Sequence, residues 1–137
     1  MLFMVDNFLK EIPKKDYGIY REKSKQAFEA MQIAFNNKLW APSTREAVFT
    51  CINAVDALLA KFSGYRNMSK NHMDIVYIIE NSKYIPIESA KKQSSRLRKI
   101  IAQKNLADYE NKAVTLKKAS EIKLQAERFY AWAMEYL

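Results

Sequence analysis

Apolar side chains recur at helical intervals in five stretches of this 137-residue chain, and polar or helix-breaking residues separate them. In the first, from about Tyr17 to Trp40, the residues Tyr20, Ala27, Met31, Ala34 and Phe35 fall on one stripe. Pro42, Ser43 and Thr44 then punctuate the chain. Proline suits a first helical turn and hydroxyls can cap its free amides, so a second helix is predicted to start there. Val48, Cys51, Ile52, Val55, Leu58, Leu59 and Phe62 carry it forward without a break in the i, i+3, i+4 pattern. Ser63 and Gly64 end it, because glycine adopts the left-handed conformation that follows a helix C-terminus. The polar segment SGYRNMSKNHMDI, residues 63–75, is read as a connector. It enters a third helix near Asn71, with Asp74 as its partner in capping and Ile75, Val76 and Ile79 as the apolar face. NSKYIPIES, with Pro86 and Ser89, leads into a long basic helix that runs to about Asp108. After a turn near ENKAVT, Thr115 caps a last helix whose stripe is Ala119, Ile122, Ala126, Phe129 and Ala133.

Five helices joined by short connections, with no repeat, low-complexity segment or linker, predict a single domain over residues 1–137. The expected fold class is all-α, an antiparallel up-and-down bundle. Composition points the same way, since two glycines and three prolines leave little material for hairpin turns. The single cysteine, Cys51, has no partner in the chain and lies on an apolar stripe, which excludes an internal disulfide framework and predicts a buried thiol. No stretch approaches the roughly 20 apolar residues of a membrane span. The opening MLFMVDNFLKEI lacks a basic leader and meets Asp6 early, unlike a signal peptide. The expectation is a soluble, cytoplasmic protein that does not engage a membrane.

A formal charge of +8 admits polyanions as partners, because clustered Lys and Arg release counterions when they meet phosphates. On the fourth helix Lys92, Arg96 and Lys99 share one face, and Leu97, Ile100 and Ile101 lie on another. That face is either an ordinary solvated one or a track for phosphates. Tyr17, Tyr20 and Tyr65 either fill core or stack on bases. Lys104, seven residues after Leu97, falls inside the apolar stripe, where an unpaired ammonium is costly. It must reach the bundle edge, or pair with an acidic group or a phosphate.

Enzyme signatures are few. The sequence has no Gly-rich phosphate loop, no Cys/His cluster and no HExxH, and one histidine does not make a zinc site, so neither metal nor cofactor is expected. Asp108 and Glu110 are too close in sequence to face each other on a helix.

Several stretches together resemble the HEPN domain, a family of small prokaryotic helical bundles. They are REAVFTCINAVDALLAKFSGY, followed by SKNHMDIVYII, and the terminal KNLADYENKAVTLKKASEIKLQAERFYAWAMEYL. The resemblance covers nearly all of the chain after residue 16. It implies a two-fold homodimer, and a nucleotide- or RNA-binding component of a toxin–antitoxin-like module with a minimal nucleotidyltransferase partner. Some members are metal-independent ribonucleases that use an Arg, an adjacent polar residue, a short spacer and a His. Arg66, Asn67 and His72 fit that order, which makes them the candidate catalytic residues of an endoribonuclease alternative. In the ribonuclease members taken for comparison the motif lies on the later helix, where this chain offers Lys104, Asn105 and Tyr109. There lysine replaces arginine and tyrosine replaces histidine, which removes the one side chain that titrates near neutrality. Nucleotide or RNA binding is therefore assigned to Lys104, Asn105 and Tyr109, with Lys92, Arg96 and Lys99. A helical scaffold without ligand is the third reading. His72 either packs beside Ile75, Val76 and Ile79, contacts a ligand, or acts as a neutral base held so by the helix dipole.

Overall fold

The structure, a computed structural model, describes residues 8–69, 71–108 and 111–137. Helix α1 spans Tyr17–Asn36 and α2 spans Trp40–Ser63. Lys38 turns the chain between them in the left-handed conformation, with φ 61°. A residue with a Cβ pays about 1–2 kcal/mol for this geometry. The tight turn offsets it with bonds from the Leu39 N–H to the Ala34 carbonyl and from the Lys38 N–H to the Phe35 carbonyl, both 2.9 Å.

Small residues line the seam between these two helices. Ser24, Ala27 and Ala34 are buried on α1, as are Ser43, Ala47, Thr50 and Ala54 on α2. Ser24 Oγ donates to the Thr50 carbonyl at 2.7 Å and Ser43 Oγ to the Met31 carbonyl at 3.0 Å, which fixes the antiparallel register. The expected capping hydroxyls are thus used elsewhere: Ser43 reaches across to α1, and Thr44 Oγ1 donates back to the Trp40 carbonyl at 3.0 Å. Helix α2 starts two residues before Pro42, and Leu39 precedes it without a side-chain cap.

Three further helices complete the bundle: α3 over Asp74–Glu80, α4 over Ile87–Asp108 and α5 over Leu116–Met134. Thr115 caps α5 as its position predicts, its Oγ1 accepting from the Lys118 N–H at 3.2 Å. Arg96 to Gln125 and Trp132 to Ser89 pair α4 with α5 in antiparallel sense. Leu97, Ile100, Ile75, Ile79, Met31, Val55 and Phe129 are fully buried between the helices, and Cys51 lies among them. Burial pushes the Cys51 thiol well above its ordinary range, so it packs as a small hydrophobe. The fold is the all-α bundle that the periodicity predicts. No helix among the described residues is long and apolar enough to cross a membrane.

One element was not legible in the periodicity. Leu9–Glu11 form strand β1, which pairs antiparallel with strand β2, Tyr65–Asn67, placing Leu9 opposite Asn67. Three-residue strands are too short for an alternating pattern to register. Gly64 makes the pairing possible. At φ 74° it ends α2, donates its N–H to the Ala60 carbonyl at 3.0 Å and accepts from the Ile12 N–H at 2.9 Å. The connector is therefore anchored along part of its length to the segment that precedes α1.

Candidate functional site

Most of the connector's polar side chains shape the connector. Asn67 Oδ1 accepts from the Ser69 N–H at 3.0 Å, Ser69 Oγ accepts from the Asn71 N–H at 3.1 Å, and Asn71 Oδ1 accepts from the Met73 N–H at 3.0 Å. Ser69 Oγ also donates to Asp74. Successive i, i+3 bonds wind residues 71–76 into a turn before α3, so the helix starts at Asp74 rather than Asn71. Asn71 contributes an Asx turn there in place of the expected cap.

The two ends of the proposed catalytic motif serve different neighbourhoods. The Arg66 guanidinium lies over the Tyr20 ring, 5.5 Å from its centroid, and its charge acts on Asp56 of α2. Asp56 is 7% exposed and receives the backbone N–H of Asn67. Burial pushes its carboxyl up to about 7, against the lowering effects of Arg66, the Asn67 N–H and Lys23. Asp56 Oδ1 and Arg66 Nε are both buried without a hydrogen-bond partner among the described residues. Arg66 and Asn67 thus hold β2 against α2.

His72 feels a different charge, that of Lys104 near the C-terminal end of α4. It is half-buried, and its pKa is held below the usual histidine value by burial first and by the Lys104 charge second. His72 sits in the turn that precedes the seven-residue α3. Lys104 Nζ donates to Asp108 Oδ2 at 2.8 Å, so the cation inside the apolar stripe has taken the acidic partner. Arg45 of α2 approaches the same carboxylate at 3.6 Å and donates to the Ala107 carbonyl at 3.2 Å, closing the C-terminal end of α4. The lysine and aspartate side chains are 17% and 15% exposed, and the arginine 38%, so the cluster is open to solvent on the Arg45 side.

The remaining candidates divide. Asn105 is exposed on α4, and Tyr109 lies outside the described residues. Lys92 and Lys99 are exposed, as a solvated or phosphate-facing surface requires. Arg96 turns inward from that face. Its Nε donates to Gln125 at 2.9 Å and its Nη1 to Gln93 at 3.0 Å, and burial lowers its pKa, with Arg128 adding to the effect. Among the described residues no group of three or more His, Cys, Asp or Glu side chains can hold a metal ion.

No family model, curated protein or solved structure matches this chain. The Lys104 charge links His72 of the connector to the later motif, and Lys104 meets Arg45 at the Asp108 carboxylate. Asp108 was visible as the residue four places after Lys104, the i, i+4 offset at which opposite charges meet on a helix. Arg45 lies 62 positions from the carbonyl it caps and carries no local signal.

This join is measurable because the chain has one histidine. A proton-detected titration of the His72 ring gives its pKa without assignment. Lys104→Ala is expected to move that pKa upward toward the ordinary value by removing a like charge. An unchanged titration in a folded variant would break the link between the two motifs.

Proposed function

We propose that the protein is a HEPN-like module that binds RNA or a nucleotide through phosphate contacts, works as a two-fold dimer and accompanies a minimal nucleotidyltransferase. One arrangement carries the reading: Arg45 and Lys104 both meet the Asp108 carboxylate at the end of a basic helix, and the Lys104 charge reaches His72, whose imidazole it helps to keep neutral. Arg45 can fork onto phosphate oxygens, Lys104 supplies a point charge, and uncharged His72 has an N–H for a phosphate or base edge. Exposed Lys92 and Lys99 extend the positive surface along α4. Binding is favoured over cutting because Arg66, the cation that the cleavage scheme needs beside His72, acts on Asp56. A cleaving site needs a base, an acid and a cation at one phosphate.

The test is binding of a single-stranded oligoribonucleotide followed by fluorescence anisotropy, in EDTA, with the RNA checked for integrity. Affinity is expected to fall with salt at a log–log slope of roughly 0.7 per phosphate neutralised. Joint replacement of Lys92 and Lys99 by Ala should flatten the slope, and Arg45→Ala with Lys104→Ala should weaken binding at every salt concentration. Light scattering should give twice the 16.0 kDa chain mass. Absent or salt-indifferent binding would sink the proposal. Cleavage in EDTA that disappears in a folded His72→Ala variant would replace it with the endoribonuclease reading.

A further inference from the structure

A cavity lies apart from the residues of the basic cluster. It occupies about 490 Å³ between the C-terminal half of α2 and the stretch from α3 to Ile85, with β1 and β2 at one side. Its wall is apolar and aromatic, formed chiefly by Leu58, Leu59, Phe62, Tyr65, Tyr77 and Ile78. Phe62 and Tyr84 stack at 5.4 Å, and Tyr84 is 45% exposed, so an aromatic pair stands where the cavity meets solvent. The size falls in the range of small-molecule sites, about 300–1,000 Å³, and an apolar wall with few polar groups is their usual chemistry.

Among the described residues, its charged side chains are of one sign. Lys14 and Lys83 line the cavity, both are exposed residues, and no carboxylate is among its lining side chains within the described residues. The Lys14 side chain lies over Gly64, where an added Cβ would come 3.4 Å from its Cγ, and Lys83 Nζ stands 5.6 Å from the Tyr84 ring centroid. Each cation is thus placed by the structure that forms the cavity. An apolar interior with ammonium groups at its edge is complementary to an apolar body ending in a single anionic head.

We propose that this cavity binds an amphiphilic organic anion, a monocarboxylate with an aliphatic or aromatic body, whose head meets Lys14 and Lys83. The apolar body replaces water against Leu58, Leu59, Phe62 and Ile78, and this burial supplies most of the affinity. The lysines select the sign of the head. The site is separate from the phosphate-binding reading and shares none of its residues.

The experiment is calorimetric titration of the full-length protein with decanoate below its micelle concentration, alongside decylammonium and anionic phospholipid vesicles. The expected result is saturable binding of decanoate at one per chain, with at least tenfold weaker binding of decylammonium. Lys14→Glu combined with Lys83→Glu, two surface changes that leave the wall intact, should weaken decanoate at least tenfold. Leu59→Trp, which narrows the cavity from a half-buried position, should weaken both amphiphiles. Thermal melts establish that each variant is folded. Failure of decanoate to saturate, equal affinity for the cationic amphiphile, or an unchanged affinity in the double charge reversal would overturn the proposal. So would capture by vesicles without binding of monomeric decanoate, or self-association through this face in its place. None of these outcomes bears on RNA affinity, which is measured at different residues.

Discussion

Wild-type protein is expected to lose stability as pH rises from about 4 to about 7, by an amount that Asp56→Asn removes. In the unfolded chain Asp56 ionises near its ordinary 3.8, whereas in the fold it holds its proton until about 7. Between those values the native state binds one more proton than the unfolded state, so the slope of unfolding free energy against pH is negative. The contribution is complete below the unfolded value and gone above the folded one. Three pKa units correspond to about 4 kcal/mol at full extent, a large part of a domain's usual 5–15 kcal/mol. Other carboxylates also titrate in this range, so the quantity to measure is the difference between wild type and variant in urea melts across the window. It should grow in favour of the variant as pH rises. Parallel curves would show that Asp56 ionises normally and that its burial is relieved in solution. Because Arg66 and the Asn67 N–H both reach Asp56 from β2, the same titration governs how firmly the connector is held to α2.

Asp56 also marks the limit of reading by periodicity. In NAVDALLA it stands between apolar neighbours on a helix whose stripe was assigned by its hydrophobic members, so it could be passed over as an outward-facing charge. The signal was its company: alanines on both sides of α2 let other segments approach closely, and Ala54, Ala57 and Ala60 are all fully buried. Where α2 is covered on more than one side, a polar residue on it is buried whichever way it points. Five helices, the Thr115 cap, the Gly64 terminus and the buried Cys51 were legible because each depends on residues within a turn or two of itself. The β1–β2 ribbon joins segments more than fifty residues apart, and the Arg45–Asp108 contact joins two helices across the bundle. Neither leaves a local pattern. Lys104 lies between these cases. The cost of a cation in an apolar stripe called for an exit to the bundle edge, an acidic partner or a phosphate, and the sequence left open which.

Phe129→Ala is expected to remove about 3–5 kcal/mol of stability, the usual range for emptying a buried aromatic site. Phe129 is fully buried on α5, within the core shared with α2 and α4. It also begins a run of rings: its centroid lies 5.4 Å from Trp132, which lies 5.2 Å from Tyr136, which lies 6.4 Å from Phe62. Trp132 is further fixed by donating to Ser89 Oγ at 2.8 Å. The ladder ties the C-terminal ends of α5 and α2 together and reaches Phe62, which lines the apolar cavity and stacks on Tyr84. Truncating Phe129 takes away both its own burial and the surface on which Trp132 rests. Its effect should therefore appear as a lower unfolding midpoint and as a red-shifted, more readily quenched tryptophan emission. Phe129→Leu keeps most of the volume and should cost much less, on the order of 1 kcal/mol. An alanine variant within about 1 kcal/mol of wild type would mean that the neighbouring side chains collapse into the vacated space. The ladder would then be a consequence of packing on α5 rather than a support for it.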